Sequence, residues 1–200
     1  MTPDGTMLWA MLEGAIFDGD GVREDGIVRV LGYDPAAGDW TGESFLFRFT
    51  EGAEAIGDFN FIDDTRALVI ERDGGEGHAS LACADGETEG CFRRPARVKR
   101  ITLIDTAQID ADGFVSRIAQ IDLMDIADPD GLARIPTDGD VPEGRFVFPF
   151  VTIESVILDG PEHIIVGNDN NLPFSAGRQL GVADSNEMIR LHVPELLAAR

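Results

Sequence analysis

The chain has 200 residues, of which 37 are acidic and 16 basic, and its formal net charge at pH 7 is -21. A surface of this charge repels phosphate backbones and anionic lipid headgroups, which argues against binding to nucleic acids or membrane surfaces. With 44% hydrophobic residues, the chain can bury the core of one domain or of two small ones.

Short stretches rich in β-branched and aromatic residues recur between turns of Gly, Asp and Pro, a pattern that predicts β-strands. In chain order they are 7–12, 27–33, 45–49, 67–70, 98–104, 146–153, 164–166 and 188–193. Only 121–133, which Pro129 and Gly131 interrupt, and the tail 194–199 are predicted to be helical. Neither segment is long enough to cross a parallel sheet repeatedly, so we predict an all-β fold with one or two short helices.

Three segments share a pattern in which a polar turn leads into a hydrophobic strand that ends in charged or carboxamide residues. They are 3–14, 63–73 and 158–171. The last two follow further apolar stretches, 55–62 and 150–157, so the unit is a strand, a tight turn and a second strand. This unit is typical of the inner hairpin of a β-propeller blade.

A propeller blade takes about 40–50 residues, so a chain of this length holds roughly four blades, close to the lower limit for a closed ring. The units are unevenly spaced, which favours about half a ring of antiparallel blades with long insertions. We therefore predict one partial propeller domain over residues 1–200. Because a half ring exposes unpaired edges at both ends, missing N-terminal blades or a partner chain are expected to close it.

The two cysteines, Cys83 and Cys91, flank a loop rich in Gly and Glu. A disulfide between them would close a short hairpin, and we predict that it forms. Two free thiols are the alternative. Zinc binding is disfavoured because His78 is the only histidine near the pair.

Four runs carry a resemblance to a known family: 67–73 (ALVIERD), 148–155 (FPFVTIES), 168–178 (NDNNLPFSAGR) and 184–189 (DSNEMI). They resemble the C-terminal half of the phytase-like family, which is described as having the esterase-like activity of phytase. The resemblance covers nearly the whole chain, and the block from 168–171 (NDNN) to 184–187 (DSNE) is its most specific part.

The resemblance implies a β-propeller that hydrolyses phosphate esters or other esters and, by analogy with propeller phytases, depends on calcium. It also implies a periplasmic or secreted protein, although the residues after Met1 lack the charged and apolar regions of a signal peptide. Family members are longer than this chain, and the missing part is expected to precede Met1. The expected substrate is a small ester or phosphate.

The innermost strands of a propeller line its central channel, so polar groups at their ends converge on one mouth. Carboxylates and carboxamides there offer the hard oxygen ligands that calcium takes in groups of six to eight. The predicted metal ligands are Glu13, Asp58, Glu71, Asn168, Asn170, Asn171 and Glu187. For each residue the alternative is that the side chain closes a turn by bonding to the backbone.

Four further residues are predicted to carry catalysis. Arg72 and Arg178 would clamp a phosphate in bidentate fashion, and either Glu154 or Asp169 would orient an attacking water beside the metal. The alternative for the two arginines is a buried ion pair with nearby carboxylates.

Other readings stay open. A propeller can bind a small ligand or a partner without catalysis, and a lactonase-like propeller would use a channel metal held by similar side chains. The stretch 18–26 begins like a calcium-binding EF-hand loop, but Val22, Arg23 and Arg29 occupy ligand or turn positions, so we predict a solvated loop.

Overall fold

The computed structural model describes residues 1–16 and 26–200. The described residues form twelve strands, a short helix, α1 (Pro194–Ala198), and one 3-10 turn, Ala79–Leu81. In chain order the strands are β1 (Leu8–Met11), β2 (Ile27–Asp34), β3 (Asp39–Arg48), β4 (Ala55–Phe61), β5 (Arg66–Arg72), β6 (Lys99–Ile109), β7 (Val115–Asp122), β8 (Ile126–Ala127), β9 (Arg145–Phe146), β10 (Thr152–Leu158), β11 (His163–Asp169) and β12 (Met188–His192).

The strands form three larger antiparallel sheets and one small ribbon. The first sheet has the order β1-β2-β3, the second β4-β5-β6-β7 and the third β10-β11-β12, while β8 and β9 pair by themselves. This arrangement confirms the prediction of an all-β, partial β-propeller. The predicted hairpins β4-β5 and β10-β11 and the predicted C-terminal helix are also present.

The innermost strands β1, β4 and β10 approach one another at the centre of the molecule. The Ile56 amide donates to the Glu13 carbonyl over 2.8 Å, which ties β4 to the end of β1. Gly57 in β4 lies against β10 so closely that a Cβ there would be 1.9 Å from the Ile153 carbonyl oxygen. A larger residue at position 57 would therefore push the second and third sheets apart.

Two apolar cores lie on either side of the second sheet. Successive side chains of a strand point to opposite faces, so Ala67 and Val69 pack into the core shared with the first sheet. Leu68 and Ile70 pack into the core shared with the third sheet. Burial on both faces explains why β5 is continuously hydrophobic rather than alternating.

The prediction of a helix at 121–133 is wrong. Strand β7 continues to Asp122, and after a turn β8 begins at Ile126. The side chains of Asp122 and Asp128 accept hydrogen bonds from backbone amides ahead of them, which favours turns over a helix. Gly131, at a φ of 62°, and Pro129 also prevent a regular helix.

The predicted strand 146–153 is divided into the end of β9 and the start of β10. Pro149 between them has no amide to donate to a ladder, and the Phe148 amide bonds instead to the Leu123 carbonyl. The predicted disulfide between Cys83 and Cys91 is present. No described helix has the length and apolar character needed to cross a membrane.

Lys99, the only lysine of the chain, is completely buried in the second sheet. Its Nζ lies 2.9 Å from Asp73 Oδ1 and donates to the carbonyls of Asp73 and Val151. Burial lowers the pKa of Lys99 to about 8, although the Asp73 carboxylate acts in the opposite direction. The folded protein therefore holds this proton less tightly than the unfolded chain does.

We expect the contribution of Lys99 to the free energy of unfolding to rise with pH between about 8 and about 10.5. In that interval the unfolded state keeps the lysine proton and the folded state has lost it. Urea unfolding at several pH values across the window would measure the rise. In Lys99→Met the rise should disappear, and an unchanged pH dependence in this variant would contradict the assignment.

Candidate functional site

The innermost strands enclose a cleft of about 370 Å³. Trp9 and Met11 of β1 line the cleft, together with Glu13, which follows β1. Residues 56–59 line it from β4, and Glu154 lines it from β10. Three carboxylates therefore meet at one cleft: Asp58 from the second sheet, Glu154 from the third, and Glu13 from the segment that follows β1.

Bulges explain how two of these carboxylates reach the cleft. The pairing register of β4 with β5 shifts between Ile56 and Phe59, and that of β10 with β11 shifts between Ile153 and Ser155. Asp58 and Glu154 lie in these irregular positions. A bulge turns a side chain out of the regular alternation, and here it directs both carboxylates toward the centre of the molecule.

Arg72, at the end of β5, adjoins the cleft and is only 8% exposed. Its Nη2 lies 2.8 Å from Glu13 Oε1 and 3.5 Å from Glu154 Oε1. Its Nε is buried and has no hydrogen-bond partner in the described part of the chain. A guanidinium with an unused donor is thus held between two carboxylates of the cleft.

Glu154 is a weaker acid than an ordinary glutamate, because its pKa is raised. Burial raises the pKa of Glu154, and the nearby carboxylates of Asp169 and Glu13 act in the same direction, whereas Arg72 lowers it. Proximity of like charges and partial burial are what tune a carboxyl group for proton transfer near neutral pH.

Asp58, by contrast, has both oxygens engaged. Its Oδ2 accepts from the Val156 amide and from Asn60 Nδ2, and its Oδ1 accepts from the Phe59 amide. Asn60 Nδ2 also donates to the Val156 carbonyl. The two side chains therefore satisfy the inner edge of β10 and join the second sheet to the third.

Glu71 lies outside the cleft and is fully buried. Its carboxylate accepts from the Thr50 amide, from Thr102 Oγ1 and from the Arg117 guanidinium, whose Nη2 is 2.7 Å away. These bonds join β5, β6 and β7 to the loop that follows β3, and they occupy the oxygens that were predicted to bind metal.

The carboxamides at the end of β11 and directly after it organise a loop. Asn168 accepts from the Glu187 amide and donates to the Ser185 carbonyl, and Asn170 donates to the Asp184 carbonyl. Asn171, in the left-handed region at a φ of 45°, donates to Thr152 Oγ1. Asp169 accepts from the Asn171 amide and lies near Glu154.

Arg178 lies in the loop between β11 and β12 and is 3% exposed. It forms two bonds to Glu187, of 3.1 Å and 2.6 Å, and donates to the Val147 carbonyl. The rings of Phe146 and Phe150 each lie 4.8 Å from its guanidinium carbon. Arg178 and Glu187 therefore form a buried ion pair. The other predicted residues that come together do so at the cleft, and they are Arg72, Glu13, Glu154 and Asp169.

The sequence reasoning missed Trp9 and Met11 in the cleft. Trp9, Met11 and Glu13 are two residues apart in sequence, and alternate residues of a strand point to the same face. This spacing could have identified Trp9 and Met11 once Glu13 was chosen. Arg117, the partner of Glu71, had no such signal because it lies within a strand, far from Glu71 in sequence.

Among the described residues, no three or more His, Cys, Asp or Glu side chains lie close enough together to hold a metal ion. The EF-hand-like stretch 18–26, apart from Gly26, lies outside the described residues.

Comparison with known families supplies the identity that the geometry leaves open. The sequence profile of the family described as Phytase-like: Esterase-like activity of phytase matches residues 1–172. The chain belongs to the Phytase-like family. No curated protein and no solved structure matches the chain. The family assignment of this phytase-like chain places it among esterase-like or phosphatase-like β-propellers.

Proposed function

We propose that this phytase-like chain hydrolyses phosphate esters or related anionic esters at the cleft between β1, β4 and β10. The observation that carries the proposal is the contact of Arg72 with Glu154 at 3.5 Å. It unites a buried cation, suited to an anionic substrate, with a carboxyl group whose pKa is raised.

Arg72 would bind the substrate. The Glu13 side chain, which holds Arg72 Nη2, is 69% exposed and can swing away at little cost. An anionic oxygen of the substrate would take its place at Nη2 and pair with the guanidinium charge. The positive charge would then stabilise the negative charge that grows as the ester bond breaks.

Glu154 would move the proton. In its ionised form it would take a proton from a water molecule as the water oxygen bonds to phosphorus. The bond from phosphorus to the alcohol oxygen then breaks, and the proton returns to that oxygen. Asp169 and Glu13 assist because their negative charges raise the proton affinity of Glu154.

The test is hydrolysis of p-nitrophenyl phosphate and of bis(p-nitrophenyl) phosphate by the wild type and by Glu154→Gln. Loss of one general acid–base group lowers a rate by about 100- to 10000-fold. Ionisation of Glu154 opposes folding, because burial raises its pKa, so an amide there should not lower stability at pH 7. Unchanged turnover in Glu154→Gln, with a normal unfolding midpoint, would disprove the role of this residue.

Calcium dependence is a separate part of the proposal. Glu13 and Glu154 supply carboxylates of the type that calcium prefers, but the described residues do not bring together enough of them to form a site. No catalytic step is therefore assigned to calcium. The side chains of Asp58, Glu71 and the carboxamides of 168–171 already form hydrogen bonds within the protein.

A thermal unfolding series with calcium, and with magnesium as the control, tests the metal. If calcium binds the folded chain, its midpoint should rise with calcium concentration, because a ligand that binds only the folded state stabilises it. The rise should be lost in the Glu13→Gln, Glu154→Gln double variant. Equal effects of the two metals would contradict a calcium-specific site.

Ligand binding without turnover is the competing proposal. The ion pairs of Arg72 with Glu13 and Glu154 support it, because they hold a cation beside the cleft. This cation can bind an anion without any reaction. Saturable phosphate binding by a chain that hydrolyses none of the esters, including lactones, would favour this alternative.

Ring closure by further blades or a partner chain, and a periplasmic or secreted location, are further parts of the proposal. The third sheet supports ring closure, because its face turned away from the core exposes Ile157 at 52% and Met188 at 81%. Apolar side chains on an open sheet face are suited to cover by another layer.

A further inference from the structure

Two histidines lie side by side on neighbouring strands of the third sheet. His163 begins β11 and His192 ends β12, and the two residues are paired in the register of these strands. The Val193 amide donates to the Glu162 carbonyl, so the adjacent pair of residues is a hydrogen-bonded one. Bonded and non-bonded pairs alternate in an antiparallel sheet, so the two histidines form a non-hydrogen-bonded pair, the type in which side chains come closest.

Both imidazoles lie on the face of the sheet that is turned away from the core. Ile164 and Leu191, the next residues along the two strands, pack into the core between the second and third sheets. Because successive side chains of a strand point to opposite faces, His163 and His192 point toward solvent. The His192 side chain is 60% exposed. A dissolved ion can therefore reach the two rings without a movement of the backbone.

The spacing of the two rings matches that of a tetrahedral metal site. The ring centroids of His163 and His192 are 5.0 Å apart. An imidazole nitrogen binds zinc at about 2.0–2.1 Å, which places each ring centroid about 3.2 Å from the metal, and a tetrahedral angle then sets the two centroids about 5 Å apart. The observed separation is therefore compatible with binding of one ion by both imidazoles.

A carboxylate lies beside this pair of rings. Glu162 Oε2 is 3.7 Å from His192 Nε2, and two ligand atoms on one tetrahedral zinc ion are about 3.4 Å apart. As the side chains of the described residues lie, Glu162 and the two histidines do not yet come close enough together to hold an ion. The Glu162 side chain is 59% exposed, and exposed side chains change rotamer within nanoseconds, so it is free to turn toward both rings.

These ligands favour a different metal from the one considered for the cleft. Calcium and magnesium take oxygen ligands, whereas imidazole suits zinc, copper and nickel. The two locations are also separate. Asp169, which lies near Glu154 of the cleft, ends β11, whereas His163 begins it. A strand of seven residues holds its two ends about 20 Å apart.

We propose that His163 and His192, with Glu162 as the third ligand, bind one zinc ion that keeps a water molecule in its fourth position. The ion would join β11 to β12, the edge strand of the third sheet, and so close the loop of residues 170–187. The net charge of -21 favours the approach of a divalent cation to this surface.

The test is a calorimetric titration of the full chain with zinc chloride, together with thermal unfolding. We expect one zinc ion per chain and an unfolding midpoint that rises with zinc concentration and not with magnesium. His163→Gln and His192→Gln should each weaken zinc binding by about tenfold or more, because each removes an imidazole ligand. His78→Gln removes the only other histidine and should bind zinc like the wild type.

A second measurement does not depend on histidine variants. In the NMR spectrum of the wild type, zinc should shift the ring signals of His163 and His192 and leave those of His78 unchanged. Glu162→Gln should weaken zinc binding by less than the loss of either imidazole does. Glu51→Gln removes an equal charge from an exposed position in another part of the chain and should not weaken it.

Four results would overturn the proposal. One is absence of zinc binding to the wild type. Another is zinc binding of undiminished affinity in both His163→Gln and His192→Gln, which would assign the metal to carboxylates of the acidic surface. The third is equal competition by calcium, and the fourth is one zinc ion per two chains, which would mean that a second copy supplies ligands. None of these results depends on ester hydrolysis.

Discussion

Replacing Arg72 with methionine is expected to lower the rate of phosphate-ester hydrolysis by about 100- to 1000-fold. The substitution keeps much of the side-chain volume but removes the charge that adjoins the cleft. It also removes a cation that lowers the pKa of Glu154, so the acidic limb of the pH–rate profile should move to higher pH. A merely structural arginine would not move that limb.

Two variants control this experiment. Arg72→Lys keeps the charge and loses the planar fork, so it should recover only part of the activity. Arg93→Gln removes an equal charge from an exposed site beside the disulfide loop and should leave the rate unchanged. If Arg72→Met and Arg93→Gln lost equal activity, general electrostatic attraction of the substrate would explain the effect, and a specific clamp would not.

The sequence predicted the parts of the fold that depend on local patterns. β4-β5 and β10-β11 were recognisable because a polar turn separates two apolar stretches of suitable length. The C-terminal helix was recognisable because Pro194 stands at its first position, where a proline is well tolerated.

The parts that failed depend on tertiary pairing. The helix predicted at 121–133 was an interpretation of apolar spacing alone, whereas residues of this region pair with β6 and β9. Strand pairing competes with local propensity, and here pairing prevailed. The position of Pro149, rather than the apolar run around it, decided where β9 ends and β10 begins.

The candidate site was predictable as residue types but not as an arrangement. The polar strand ends did identify Glu13, Asp58, Arg72 and Glu154, which the structure brings together at one cleft. Nothing in the sequence reveals the bulges that direct Asp58 and Glu154 inward, because a bulge is defined by the partner strand. The burial of Glu71 could not be predicted for the same reason, because it depends on partner strands.

Replacing Glu71 with alanine is expected to lower the free energy of unfolding by about 3–5 kcal/mol, the usual cost of removing one partner of a buried ion pair. The change leaves Arg117 without its carboxylate and the Thr50 amide and Thr102 hydroxyl without their acceptor. Urea unfolding at neutral pH measures the loss. Glu71→Gln should cost less, because its amide oxygen can still accept from two of these donors.

The exposed pair of Arg190 with Asp159 provides the matched comparison. Its side chains are 55% and 40% exposed, and Asp159→Asn should change stability by no more than about 1 kcal/mol. A double variant, Glu71→Met with Arg117→Met, should cost less than the sum of the single changes, because it leaves neither charge unpaired. Additive losses would mean that Glu71 acts independently of Arg117. A different result, in which Glu71→Ala left stability intact without calcium and abolished stabilisation by calcium, would make Glu71 a metal ligand. The buried ion pair with Arg117 would then not be the reason for the position of Glu71.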